Sequence, residues 1–171
     1  RFKEIRNYPE NTDVIVNYVY ESKYPTTRGG NAITDSRSVS ILVQHSLIKM
    51  PDTNYRPRLD DTRVGFFTTQ SNHMTSIDQV NYRDFINRWR LEKKDPDEHL
   101  SEPIKPITFW IENTTPIELR NIIKDGVESW NIAFEKAGFK NAIQVKVQPD
   151  TADWDAGDIR YNVLRWTSSP N

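Results

Sequence analysis

The most constraining feature of this chain lies in its second half. There an apolar strand run, Ile107–Ile111 (ITFWI), is followed by a helix signalled at both ends. Thr115 stands at the N-cap, Pro116 at the first helical position, and Glu118 three residues after the cap. Leu119, Ile122, Ile123, Val127, Trp130, Ala133, Phe134 and Ala137 recur at helical spacing. The pattern predicts one helix over 116–137, about 33 Å long, with Trp130 and Phe134 buried on its apolar stripe. Gly138 supplies the left-handed residue that ends it, and Phe139 the hydrophobic contact that folds back. Strand-like runs at 142–147 and 158–166 complete a strand–helix–strand–strand unit, whose crossover is right-handed if its strands are parallel neighbours.

The first half reads as β-rich. Residues 13–20 (DVIVNYVY) and 38–49 are β-branched runs bounded by polar or Pro/Gly stretches. In the second run Val39, Ile41, Val43, His45 and Leu47 share one face by period 2. Their connection, 21–37, carries Pro25 and Gly29-Gly30-Asn31, which suit a hairpin with a long tip. Gly65–Thr69 begins another short strand. Residues 82–91 mix helical and alternating spacing and are assigned as strand. Residues 93–106 hold three prolines and seven charged side chains and read as a linker. The expectation is an α+β chain: a β-rich N-terminal region (1–92), a linker (93–106), and an incomplete βαββ unit (107–171). Arg1 in place of Met, and Ser169-Pro170-Asn171 straight after a strand-like run, look like cut ends. They suggest a piece of a longer protein.

Composition narrows the function classes. Leu, Ile, Val and Phe number 41 of 171, above the roughly 20% below which chains stay unfolded. Only 36% of residues are hydrophobic, so the core is expected to be modest. The 23 basic and 24 acidic side chains nearly cancel, which argues against a nucleic-acid partner held by a general field. No cysteine is present, which removes disulfides, thiol nucleophiles and thiolate zinc sites. No apolar run is long enough to span a bilayer.

Candidate chemistry is sparse. His45, His73 and His99 never pair at i, i+4, so the His-Glu-x-x-His zinc helix is absent; His45 reads as a hydrogen-bonded half-core residue, the other two as solvated. The loop containing Asp150, Asp153, Asp155 and Asp158 resembles a cation loop in its carboxylates. Gly157 and Leu164 fall at the wrong positions for an EF-hand, so a turn-rich surface loop is the default. Asp60 and Asp61, beside Arg56, Arg58 and Arg63, are either tuned acids or ion pairs ordering a loop, and the second is commoner. Trp110 and Trp130 lie within element patterns, where core packing is the default over glycan stacking. Asn113-Thr114-Thr115 matches a glycosylation acceptor, although Thr115 already serves as a cap. On its residues alone the chain presents no catalytic, cofactor or metal site.

Five blocks nevertheless recur together: HSLIKMPDTNYRPRLDDTRVGFF (45–67), RWRLEKKDP (88–96), SEPIKPITFWIENTTP (101–116), GVESWNIAFEKAGFKNAI (126–143) and DWDAGDIRYNVLRW (153–166). In this order they resemble the N-terminal part of a family of large bacterial zinc-dependent metalloproteases. The resemblance implies that a β-rich region precedes a metzincin-like catalytic domain, whose upper subdomain opens with residues 107–166. The zinc helix of that family would follow Asn171, so no zinc ligand or general base falls on this chain. What is implied is a zinc metallopeptidase parent, secreted or in the cell envelope, with zinc in the parent and no cofactor in this fragment. The partner would be the downstream catalytic domain, which this segment flanks or scaffolds. A free-standing peptide- or glycan-binding module is the alternative, and a hydrolase using Asp60 or Asp61 a third. If the 107–166 sheet lacks its continuation, an uncovered edge there should drive self-association through the second half.

Overall fold

A computed structural model describes residues 1–26, 29, 30 and 33–167. The fold is α+β and mostly strand: β1 (Phe2–Asn7), β2 (Asn11–Glu21), β3 (Ser38–Ile48), β4 (Thr68–Asn72), β5 (Tyr82–Ile86), β6 (Ile107–Ile111), α1 (Ile117–Glu128), α2 (Asn131–Lys136), β7 (Ile143–Val147) and β8 (Asn162–Leu164). The strands form three sheets, ordered β1-β2-β3, β4-β5 and β7-β6-β8. Two compact units emerge. One comprises residues 1–50, 110–117 and 147 onward; the other comprises 51–109 and 118–146.

In the first unit β2 and β3 run antiparallel through eleven consecutive pairs, from Asn11↔Ile48 to Glu21↔Ser38. Directly opposed residues share a face. Val14, Val16, Tyr18 and Tyr20 therefore lie beside His45, Val43, Ile41 and Val39 on an apolar face. The other face begins with Asn11 and Asp13. β1 was not foreseen, because its FKEIRN sequence carries three charges. It pairs with β2 through a bulge between Phe2 and Glu4.

In the second unit β4 and β5 form an antiparallel hairpin. Residues 58–60 lie against β5, with Ile86 N–H donating to Arg58 O and Asp60 N–H to Asp84 O. The strand assigned to 82–91 thus stops at Ile86. The prolines of 93–106 exclude a helix, but the segment is well anchored. Lys93 pairs with Pro103, Ser101 is buried, and Ser101 exchanges backbone hydrogen bonds with Gly138 and Lys140.

The long helix is a correction. It ends at Glu128 and restarts at Asn131, with tight backbone bonds from Trp130 N–H to Val127 O and from Ile132 N–H to Ser129 O. Ser129 Oγ donates to Gly126 O, and Asn131 is drawn toward β7. Such local side-chain bonds compete with helix continuation. The turn sends Trp130 into solvent at 65% exposure instead of the core, while Phe134 is half-buried. The predicted strand over 158–166 shrinks to β8. Gly138 does end α2 with φ +89°, and Phe139 N–H returns to Phe134 O.

One edge of the second-half sheet, that of β7, is filled by side chains. Ile107 N–H donates to Ala142 O and Gln148 N–H to Ile111 O, so β6 and β7 run parallel. Ile143 and Val145 then point their amides away from β6. Asn131 Oδ1 accepts Ile143 N–H and its Nδ2 donates to Ile143 O, both at 2.9 Å. Glu128 Oε1 accepts Val145 N–H at 3.0 Å. Side chains of α1 and α2 occupy the edge that another strand would use.

The described core is small. Its fully buried apolar residues are Ile86, Ile107, Ile111, Ala142, Ile143 and Val145. Of these only Ile111 belongs to the first unit, where the buried residues are otherwise Asn11, Asp13, Thr115, Gln148 and Asp158.

Replacing Asn131 with Ala should lower stability by about 1–3 kcal/mol, because Ile143 loses both partners. Trp130→Ala should stay within about 0.5 kcal/mol of the parent, as for other exposed changes. Denaturant melts of both variants check the pair, and a large loss at Trp130 would contradict the solvent position.

Candidate functional site

The richest polar constellation lies in the first unit, where the loop 150–161 meets the start of β2. Asn11 is 4% exposed and uses both ends of its amide. Nδ2 donates to Gly157 O at 2.9 Å, and Oδ1 accepts Ile159 N–H at 3.2 Å. Two residues on, on the same face, Asp13 accepts from Gln44 Nε2 at 3.0 Å and from Asn11 Nδ2 at 3.4 Å. Tyr8, in the β1–β2 turn, donates its hydroxyl to Asp155 Oδ1 at 2.7 Å, and Gly157 N–H donates to the same oxygen at 2.7 Å. A side chain at 157 would crowd the bond to Asp155: a Cβ there would stand 2.5 Å from the Tyr8 hydroxyl and displace it.

Charge is neutralised within the loop. Asp158, 1% exposed, receives Arg160 Nε and Nη2 in a fork, together with Arg160 N–H. These bonds hold its carboxyl below the usual range. Partial burial and the bond to Asp155 push the Tyr8 phenol up to about 12. Beside them Trp154 and Tyr161 stack at 3.8 Å with planes 7° apart. Trp110 meets both edge-on, at 5.3 and 6.0 Å. Gln148, also buried, accepts Asn113 N–H at 3.3 Å and donates to Trp154 O at 2.9 Å.

The arrangement fastens a loop. Its phenol is held protonated, and the carboxylates of Asp13, Asp155 and Asp158 accept from internal donors, while Asp153 is exposed. Trp154 and Tyr161 turn ring faces toward each other. Among the described residues no three His, Asp or Glu side chains converge as a metal set. Asp155 and Asp158 accept the backbone N–H groups two residues on, from Gly157 and Arg160, as turn-forming aspartates do. Tyr8 and Asn11, about 147 positions away, escaped sequence reasoning. The available signal was a polar pair, Asn11 and Asp13, on one face of a strand that continues with Ile15.

The remaining candidates lie elsewhere. Asp61 is forked by Arg63, which lowers its pKa, and Asp60 donates its backbone N–H to Asp84 O; this is the loop-ordering reading. His45 Nε2 lies 3.0 Å from the Tyr18 hydroxyl, and its ring is exposed rather than half-buried. His73 and His99 are exposed. Ser101 lines a cavity of about 520 Å³ with Asp95, Asp97, Glu98 and Lys140. Its hydroxyl bonds Asp95 N–H and Glu102 O rather than a base. No helix among the described residues is long and apolar enough to cross a membrane.

Residues 1–94 match a family model described as a domain of unknown function, DUF5117. No curated protein and no solved structure matches the chain.

Two substitutions test the latch. Tyr8→Phe should cost about 1 kcal/mol at neutral pH. A phenol raised in the folded state stabilises fully below its unfolded pKa near 10 and loses that contribution as pH rises through about 12. The gap between Tyr8→Phe and parent should therefore close over that window. Asp158→Asn should cost about 1.5–3 kcal/mol at neutral pH. Because the Asp158 pKa is lowered, that gap should shrink as pH falls below the carboxylate range. Urea melts across pH check both signs.

Proposed function

The chain belongs to the DUF5117 family, a domain of unknown function, and from that premise we propose that it is the non-catalytic N-terminal portion of a zinc-dependent metallopeptidase. It scaffolds or flanks a catalytic domain carried by the same polypeptide, and that domain supplies the zinc and the activated water. The single observation carrying this reading is the apolar surface left bare among the described residues. Phe2, Ile5, Leu42, Leu47, Ile117, Ile122 and Ile132 are each more than half exposed. A body with that much bare apolar area is suited to lie against another.

Two further points support the reading. The five sequence blocks fall in the order of the metalloprotease family. Residues 107–164 supply a strand, helices, a parallel strand and a third strand in one sheet ordered β7-β6-β8, which fits the opening of a metzincin upper subdomain. A secreted or cell-envelope setting follows from the same family. The glycan-binding alternative gains nothing from the Trp154 and Tyr161 faces, which meet each other.

The reading frame encoding this segment should carry His-Glu-x-x-His within a few hundred codons after Asn171. The polypeptide that includes it should bind one zinc and hydrolyse casein, whereas the 171-residue chain alone should retain no stoichiometric zinc after washing. A frame without the motif, or tight zinc on the isolated chain, would overturn the proposal.

A further inference from the structure

We propose that the outer edge of β3 is a self-association seam, at which a second copy of this chain adds its own β3 antiparallel across a two-fold axis. In the sheet β1-β2-β3 no strand among the described residues pairs with the far side of β3. The strand is eleven residues long, its register with β2 is unbroken, and Ser38–Ile48 contains no proline and no Lys, Arg, Asp or Glu. Bulges, prolines and charges are the usual means of blocking an edge.

The edges of β1 and β7 are both obstructed. β1 carries Lys3, Glu4 and Arg6 and a bulge between Phe2 and Glu4. The outward amides of β7 are occupied by Asn131 and Glu128. β3 alone among these three is bare.

The β3 sequence also selects its partner. A two-fold axis at Val43 sets Val43 against itself, Ile41 against His45, Val39 against Leu47, Leu42 against Gln44, and Ser40 against Ser46. Residues placed opposite share parity, so the apolar face bearing Tyr18 and Tyr20 continues unbroken into the second copy. No like charges meet across the seam, the chief obstacle to pairing a strand with itself. An isologous contact of this kind closes at a dimer rather than growing into a fibre.

The test uses the 171-residue chain, whose lack of cysteine makes single spin labels unambiguous. Ser40→Cys, Leu42→Cys, Gln44→Cys and Ser46→Cys are labelled one at a time. The expected result is a concentration-dependent dimer in sedimentation velocity. Label-to-label distances should be short and similar at 42 and 44, and longer by similar steps at 40 and 46. Leu42→Lys, at a position 61% exposed, should weaken the dimer at least tenfold, while Ile122→Lys on α1 should leave it unchanged. A monomer at every concentration overturns the proposal. So does a dimer whose distances lack that symmetry, or one that responds to Ile122→Lys instead of Leu42→Lys.

Discussion

Three side-chain amides do in this chain what ladder strands and apolar packing do in others. Asn11 holds Gly157 and Ile159, Asn131 holds both backbone groups of Ile143, and Gln148 bridges Asn113 and Trp154. Each amide presents one donor and one acceptor to backbone groups that would otherwise be left without partners, a costly state once water is excluded. The loop 150–161 contributes few ladder bonds of its own. Asn11 and the Tyr8–Asp155 bond fix it to β2 and the β1–β2 turn, and Gln148 and Trp110 hold its Trp154 end.

That dependence follows from composition. With 36% hydrophobic residues, and many of those on uncovered faces, the first unit buries one apolar side chain fully and five polar ones. Polar clamps give direction but little net free energy, roughly 1 kcal/mol for each hydrogen bond. Apolar contact between the sheet face of Val14, Val16, Val43 and Ile41 and another surface would supply the larger, non-directional term. The same account explains why an inert, well-fastened loop and a bare sheet occur in one unit. The loop is finished by polar groups, whereas Val19, Ile41 and Leu42 stay exposed on the sheet.

Much of the fold was legible. β2 and β3 follow from β-branched runs, β6 and β7 from compact apolar runs, and the end of α2 from Gly138. What was hidden depended on distant partners. β1 looks like a charged coil until β2 is beside it. The helical period of Leu119, Ile123 and Val127 continues through Trp130, so nothing in the periodicity marks the turn. The interruption comes from Ser129 and Asn131, polar residues whose bonds are made to a backbone carbonyl and to β7. The latch is half visible in the sequence, where Asp150, Asp153, Asp155, Gly157 and Asp158 mark a turn-rich loop. Its anchors Tyr8 and Asn11 were silent, because a tyrosine and an asparagine near a turn are ordinary in any sequence.

The central claim is that side-chain amides, rather than a buried apolar core, fix the loop and the β7 edge. Native-state hydrogen exchange at the Ile143 and Ile159 amides tests it most directly, because each donates to an asparagine oxygen. The account predicts that both are protected as strongly as ladder amides in the centre of β2. Each protection should collapse selectively, at Ile143 in Asn131→Ala and at Ile159 in Asn11→Ala. Exchange of these two amides at unfolded-chain rates in the parent, or unchanged protection in the variants, would contradict it.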